Sequence, residues 1–204
     1  TSIPGGMTKG ITEEQRVEIE KMGRWAVDFA QFSIKLFADV VLSNKTYLDL
    51  IVGDIYTHET YYMGMVDENN HVNFYDGKVR VVDPEGKEYI KYAPNEYLDH
   101  IAEHVEPWTY LKFPYLKNVG WKGFVDGKDS GIYMATPLAQ AEYEKMYATL
   151  GGKPVHQRLA THWARLIELL YAAEHWVELA TDPEITSTDI HTVPTATPTE
   201  GIGI

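Results

Sequence analysis

The feature that most constrains the fold is an apolar stripe between residues 155 and 180. The segment contains no glycine or proline, and its apolar side chains recur at spacings of three and four residues. This pattern predicts one long amphipathic helix over residues 155–181, at the centre of a helical core. Asp182 and Pro183 end it, because proline disfavours helical geometry in the residue before it. The stripe consists of Leu159, Trp163, Leu166, Ile167, Leu170, Tyr171, Ala173, Val177 and Leu179.

A second long helix is predicted over residues 12–43. Thr12 and Gln15 have the spacing of a capping box, in which each side chain bonds the backbone N–H of the other residue. Apolar residues continue the helical period to about Ser43. Two shorter helices are also predicted. One covers residues 95–105 and ends before Pro107, and the other covers residues 137–150 and follows Thr136.

Residues 50–92 show short alternating runs separated by turn residues, which predict β structure. Asp76-Gly77 lies between residues 71–75 and 78–82, and this dipeptide predicts a tight hairpin. In the second of these strands, Val79 and Val81 should share one face. Residues 53–62 and the aromatic segment 108–115 have no clear period. The predicted fold is α+β, a single domain with a long-helix bundle core and an inserted antiparallel β-hairpin region.

Composition excludes several classes of function. With 204 residues and 44% hydrophobic content, the chain is long enough for a domain with a real core. A net charge of -12 argues against a nucleic-acid partner. There is no apolar run of membrane-spanning length and no pattern of a secretory leader, so we expect a soluble, cytoplasmic protein without a membrane partner. The chain has no cysteine, so it can form no disulfide and supply no thiolate.

One short string matches a catalytic template. His100-Ile-Ala-Glu-His104 has the order of the inverted zinc peptidases, His-x-x-Glu-His. On a helix, His100 and His104 would lie one turn apart and could share a zinc ion, with Glu103 as the base. The alternative is a pair of histidines on the polar face of a surface helix. No third ligand follows, and the residues alone identify no catalytic, cofactor-binding or metal-binding side chain.

Several longer strings, taken in order, resemble the middle of a nickel-iron hydrogenase large subunit. The resemblance is to the cytoplasmic branch that includes viologen-reducing, heterodisulfide-reductase-linked enzymes and bidirectional NAD-coupled enzymes. It covers nearly the whole chain, and it places His104 in a family string. The strings lie at residues 4–6, 75–86, 99–108, 110–115, 137–139, 162–170 and 200–204.

The resemblance implies reversible dihydrogen oxidation by the complete subunit, paired with an iron-sulfur small subunit and with further electron-transfer subunits. It also implies a nickel-iron centre held by four cysteines in two Cys-x-x-Cys pairs, and iron-sulfur clusters in the partner. Neither cysteine pair is present, so this segment alone cannot bind the nickel-iron centre. A further departure is Gln140, where the family pattern has an arginine.

Three hypotheses therefore remain open. The chain is a cysteine-free scaffold or split-subunit relative without catalysis, a zinc hydrolase that uses His100, Glu103 and His104, or, as the resemblance favours, a segment of a hydrogenase large subunit. Thr1 is an unusual first residue, and we expect the chain to be part of a longer protein. In that case Trp25, Phe29, Trp163 and Leu170 would be left exposed when the segment is alone.

Overall fold

The computed structural model describes residues 2–135, 143–152, 154–196 and 199. These residues form two compact units. The first unit comprises the described residues up to Val41 and those from Leu166 onwards, and the second comprises Leu42 to Arg165. The described residues are 43% helical and 20% strand, so the α+β class is confirmed.

The first unit is built on a pair of long helices. Helix α1 spans Glu13–Phe37, is followed by a π-helical turn at Ala38–Leu42, and begins at the predicted capping box. The Gln15 backbone N–H donates to Thr12 Oγ1 at 3.3 Å, and the Thr12 N–H donates to Gln15 Oε1 at 3.0 Å. A small hairpin of β1 (Ser2–Ile3) and β2 (Gly6–Met7) precedes the helix.

Helix α1 packs closely against the second long helix, α5 (Ala160–Thr181). A Cβ at Gly23 would lie 3.1 Å from Val177 Cγ2 and 3.4 Å from Trp176 Cδ1. Glycine is therefore what allows the two helices to approach. Arg16 Nη1 also donates to the carbonyl of Ala180 at 3.2 Å. The described residues show a helix pair here, and the long-helix bundle stays a prediction.

The second unit contains a four-stranded sheet in the order β5-β4-β3-β8. Its strands are β3 (Tyr61–Val66), β4 (Lys78–Val82), β5 (Glu88–Tyr92) and β8 (Tyr133–Ala135). The β3–β8 pair is parallel, and the other two pairs are antiparallel. Val79 and Val81 are buried on one face, as predicted, and their core cluster also contains Tyr61, Tyr92 and Leu116.

The predicted tight hairpin at Asp76-Gly77 is wrong. Strand β4 pairs with β3, and residues 71–75 form no strand. The loop between β3 and β4 is held by side-chain acceptors instead. Asp67 Oδ1 accepts from the N–H groups of Asn69 and His71 at 2.8 Å each, and Asn73 Oδ1 accepts from those of Tyr75 and Asp76 at 3.0 Å each. These local bonds compete with strand pairing for the backbone donors.

The predicted helix over residues 95–105 is also wrong. Helix α3 covers only Tyr97–His100, and strand β6 (Ile101–Val105) follows directly. Strand β6 pairs antiparallel with β7 (Lys112–Leu116), which lies in the aromatic segment that showed no period. The apolar spacing suits a helix, but the β-branched residues Ile101 and Val105 also suit a strand. Pairing with a segment about ten residues away decides the outcome.

Two further differences concern helices, and one predicted helix is described only in part. Helix α2 (Lys45–Val52) was not predicted, and its last three residues lie in the region 50–92 that was predicted to be β structure. Helix α5 begins at Ala160, five residues later than predicted. Helix α4 covers Tyr143–Leu150, while the first part of the predicted 137–150 helix, its cap at Thr136 and Gln140 lie outside the described residues. The same holds for residues 200–204.

The exposure expected for four large apolar side chains is found at two of them. Trp25 is 68% exposed and Phe29 is 48% exposed. Trp163 is buried, which contradicts the expectation, and Leu170 is intermediate. Among the described residues, no helix combines the length and apolar character needed to cross a membrane.

We expect Val81→Ala to lower the free energy of unfolding by about 1.5–3 kcal/mol, because it removes two methyl groups from a side chain that is 0% exposed. The matched control is Val105→Ala on β6, where the side chain is 65% exposed and a loss of about 0.5 kcal/mol or less is expected. Urea denaturation of both variants measures the difference, and equal losses would contradict this account of the core.

Candidate functional site

The structure does not assemble the three residues of the zinc hypothesis into a metal site. His100 ends α3, and its ring lies 4.2 Å from that of Tyr92. Glu103 and His104 are neighbours on strand β6, so they point to opposite faces. Each has its own partner: Lys112 Nζ lies 2.7 Å from Glu103 Oε2, and His104 Nε2 lies 2.9 Å from Glu106 Oε1. Nowhere in the described part of the chain do three potential ligands form a metal-binding group.

His104 instead belongs to an aromatic hairpin cluster, which we define as Trp108, Phe113, Trp121 and Phe124 together with His104. The His104 and Trp121 rings stack at 4.5 Å with an interplanar angle of 15°. Phe113 contacts all three of the other aromatic rings at centroid distances of 5.2–5.7 Å. Trp108 is 68% exposed, so one side of the cluster is open to solvent.

A partly buried polar cluster lies at the start of β3, centred on Arg158. Its Nη2 donates to Thr60 Oγ1 at 3.1 Å and to the carbonyl of His58, and its Nη1 contacts Met134 Sδ. Burial lowers the pKa of Arg158, while the neighbouring Tyr62 hydroxyl acts in the opposite direction. Among the described residues Arg158 forms no ion pair, so its charge is stabilised chiefly by these dipoles.

Tyr62 and His156 extend the cluster. The Tyr62 hydroxyl donates to the carbonyl of Val155 and lies 3.0 Å from His156 Nδ1, while His156 Nε2 lies 2.8 Å from the carbonyl of Pro84. A carbonyl can only accept, so His156 Nε2 carries a hydrogen. Burial raises the pKa of Tyr62.

His58 is the cluster member with an unused polar atom. Its Nε2 is buried, has no hydrogen-bond partner among the residues that the structure describes, and lies 4.0 Å from Asp126 Oδ1. That carboxylate oxygen already accepts the N–H of Glu59 at 2.8 Å. Three of the cluster's six side-chain contacts end on backbone carbonyls, and together they join β3, β8 and residues 155–158. Sequence reasoning missed it, because its members are spread over about one hundred residues and share no motif.

A buried carboxylate stabilises the turn between β4 and β5. Asp83 is 7% exposed, and Lys128 Nζ lies 2.8 Å from its Oδ2. Burial acts to raise the pKa of Asp83, but Lys128 and the backbone N–H groups of Lys87 and Glu85 outweigh it and lower the pKa. Contacts with the carboxylates of Asp83 and Glu85 raise the pKa of Lys128.

Known hydrogenases contain subunits that resemble the chain over nearly its whole length, although no protein-family model matches it. A protein of Archaeoglobus profundus, named as an iron-sulfur subunit of F420-non-reducing hydrogenase, is 42% identical over 214 residues. The match covers 99% of the chain and 44% of that protein. The chain is related to hydrogenase subunits. In Methanocaldococcus jannaschii, a vhu subunit of F420-non-reducing hydrogenase is 38% identical over 205 residues, covering 93% of the chain and 46% of the relative.

A solved hydrogenase structure shows the same relationship in three dimensions. The crystal structure of an NAD+-reducing [NiFe]-hydrogenase in the H2-reduced state matches with a TM-score of 0.76 and 26% sequence identity. The match covers 93% of the 204-residue chain and 43% of the matched hydrogenase chain. The chain therefore spans less than half the length of the hydrogenase subunits that it matches.

The relatives correct the type of subunit inferred from the sequence. The 42% identical relative is named as an iron-sulfur subunit, which contradicts the assignment of the chain to a nickel-iron large subunit. The function drawn from that assignment is contradicted with it. The relationship to hydrogenases stands, and the relatives support a subunit of the iron-sulfur type. Neither the scaffold nor the zinc hydrolase hypothesis fits the relatives better.

We expect Arg158→Gln to lower the free energy of unfolding by about 1–3 kcal/mol, because it leaves Thr60 and the His58 carbonyl short of a donor. Arg165→Gln on the exposed face of α5 is the matched control and should cost about 0.5 kcal/mol or less. Chemical denaturation of both variants decides the point, and a neutral Arg158→Gln would show that the cluster does not hold the fold.

A pH dependence follows from Asp83. Its pKa is lower in the folded chain than in the unfolded chain, so the carboxylate stabilises the fold above its ordinary pKa, and this stability is lost as pH falls through the lower folded value. We expect Lys128→Met to move the midpoint of acid unfolding to higher pH, whereas Lys122→Met, at an exposed position nearby in the sequence, should leave it unchanged. Acid titration followed by circular dichroism measures both, and coincident midpoints would refute the assignment.

Proposed function

We propose that the chain is part of a hydrogenase subunit of the same type as its 42% identical relative, working within a multisubunit complex that carries out hydrogen-linked oxidoreduction. The observation that carries this proposal is that identity, which extends over 99% of the chain. The structural match to a hydrogenase, with a TM-score of 0.76, supports it independently.

The role of these residues within the complex is structural. Iron-sulfur clusters are held by cysteine thiolates, and the chain contains no cysteine. Any cluster of the complex is therefore bound by residues outside these 204. The partly buried polar cluster around Arg158 and the core around Val81 hold the second unit together, and the rest of a redox protein can be positioned against it.

Partners and location belong to the same proposal. The relatives are named as subunits, and an assembled hydrogenase supplies the surfaces that would cover Trp108 and Tyr110, which are 68% and 95% exposed. We take the partners to include a separate small iron-sulfur subunit together with further electron-transfer subunits, and the location to be the cytoplasm, as the sequence resemblance implies. The electron acceptors that appear in the relatives' names describe those proteins and are not proposed for this chain.

The proposal is tested in the organism that makes the chain. An affinity tag on the chain should isolate a complex that contains iron and acid-labile sulfide and that reduces a viologen dye with dihydrogen. A deletion strain should lose this activity, and a plasmid copy of the gene should restore it. The untagged strain is the control for the purification.

Two results would overturn the proposal. One is unchanged hydrogen-dependent dye reduction in the deletion strain. The other is a tagged protein that is purified without iron or partner subunits while the activity remains in the unbound fraction. Nickel and zinc contents of the same sample report the metal composition directly, and stoichiometric zinc without iron would favour a different chemistry.

A further inference from the structure

Helix α1 carries an exposed apolar stripe along one side. We define it as Met22, Trp25, Phe29, Phe32 and Leu36, which follow one another at alternating spacings of three and four residues. At about 100° per residue, they fall within an arc of about 80° and extend over about 21 Å of helix. Their side chains are 46–68% exposed, and the Trp25 and Phe29 rings stack at 5.6 Å.

The other sides of α1 already have partners. Gly23 and Ala30 are buried, and Gly23 lies against Val177 on α5. A separate side carries ion pairs that join Arg16 to Glu20 and Glu20 to Arg24. The exposed stripe of α1 coincides with neither of these sides, and none of its five members is charged.

A surface of this kind requires a permanent partner. Three aromatic rings, a methionine and a leucine in a continuous row form a contiguous patch, whereas monomeric proteins expose large apolar residues mostly one at a time. Spacing of three and four residues presents a ridge that fits the groove of a second helix. The absence of charge within the row is typical of the centre of an obligate interface.

We propose that this stripe is the docking face for an apolar helix supplied by the remaining part of the hydrogenase subunit to which the chain belongs. This inference rests on the proposed function. The chain covers only 44% and 46% of its relatives and 43% of the matched hydrogenase chain, so more than half of each has no counterpart in these 204 residues. A net charge of -12 opposes pairing with a second copy of the chain.

Photocrosslinking in the assembled complex tests the inference. p-Benzoylphenylalanine is placed at position 32 on the stripe or, as a control, at position 31, where Gln31 is exposed about 100° around the helix. After irradiation and digestion, mass spectrometry should find the position-32 crosslink in a segment of the same subunit that lies outside these 204 residues. The position-31 probe should not yield that crosslink.

Three outcomes at position 32 would overturn the inference: a crosslink to a second copy of the chain, a crosslink to a different subunit of the complex, or no crosslink. In parallel, Phe32→Glu should lower the yield of assembled complex at least tenfold, and Gln31→Glu should leave it unchanged. Equal yields would also count against the inference.

Hydrogen-dependent dye reduction by the same preparations separates the two proposals. If the crosslink lies within the same subunit but dihydrogen reduces no dye, the proposed function fails and the docking face stands. If dye reduction is intact but the crosslink lies elsewhere, only the docking face fails.

Discussion

Burial of one face of β4 is the constraint on which the second unit depends. Val79 and Val81 are 2% and 0% exposed, and this requirement sets which residues of β3 and β5 oppose them. A shift of one residue would place Arg80 in the core, so the register is strongly determined. The same register places Thr60 and Tyr62, at the start of β3, beside residues 155–158. The polar cluster is thus a consequence of apolar packing in the neighbouring sheet.

Local patterns predicted the parts of the fold that local forces determine. The capping box at Thr12 needs only residues three positions apart, and the alternation at Val79 and Val81 needs only one strand. Strand β6 and the hairpin partner of β4 could not be predicted in this way. The state of β6 depends on pairing with β7, and that of the loop before β4 depends on Asx bonds within it. Neither appears in an apolar period.

The candidate site was harder to predict than the fold. The one motif that matched a template, His100 to His104, is divided between the end of a helix and a strand, so its three side chains never converge. Arg158, His156 and Tyr62 do converge, but they come from separate parts of the chain and form no motif. Longer strings indicated the relationship to hydrogenases correctly, whereas the subunit type inferred from them was contradicted by the relatives' names.

The π-helical turn at Ala38–Leu42 has a consequence for the surface of α1. A π turn accommodates one residue more than an α turn, so side chains beyond it are rotated by roughly 100° from the positions that a continued α-helix would give them. An apolar row in phase with Met22 and Leu36 cannot continue straight through such a turn. Backbone geometry, as much as the choice of side chains, therefore sets the length of the surface that α1 presents.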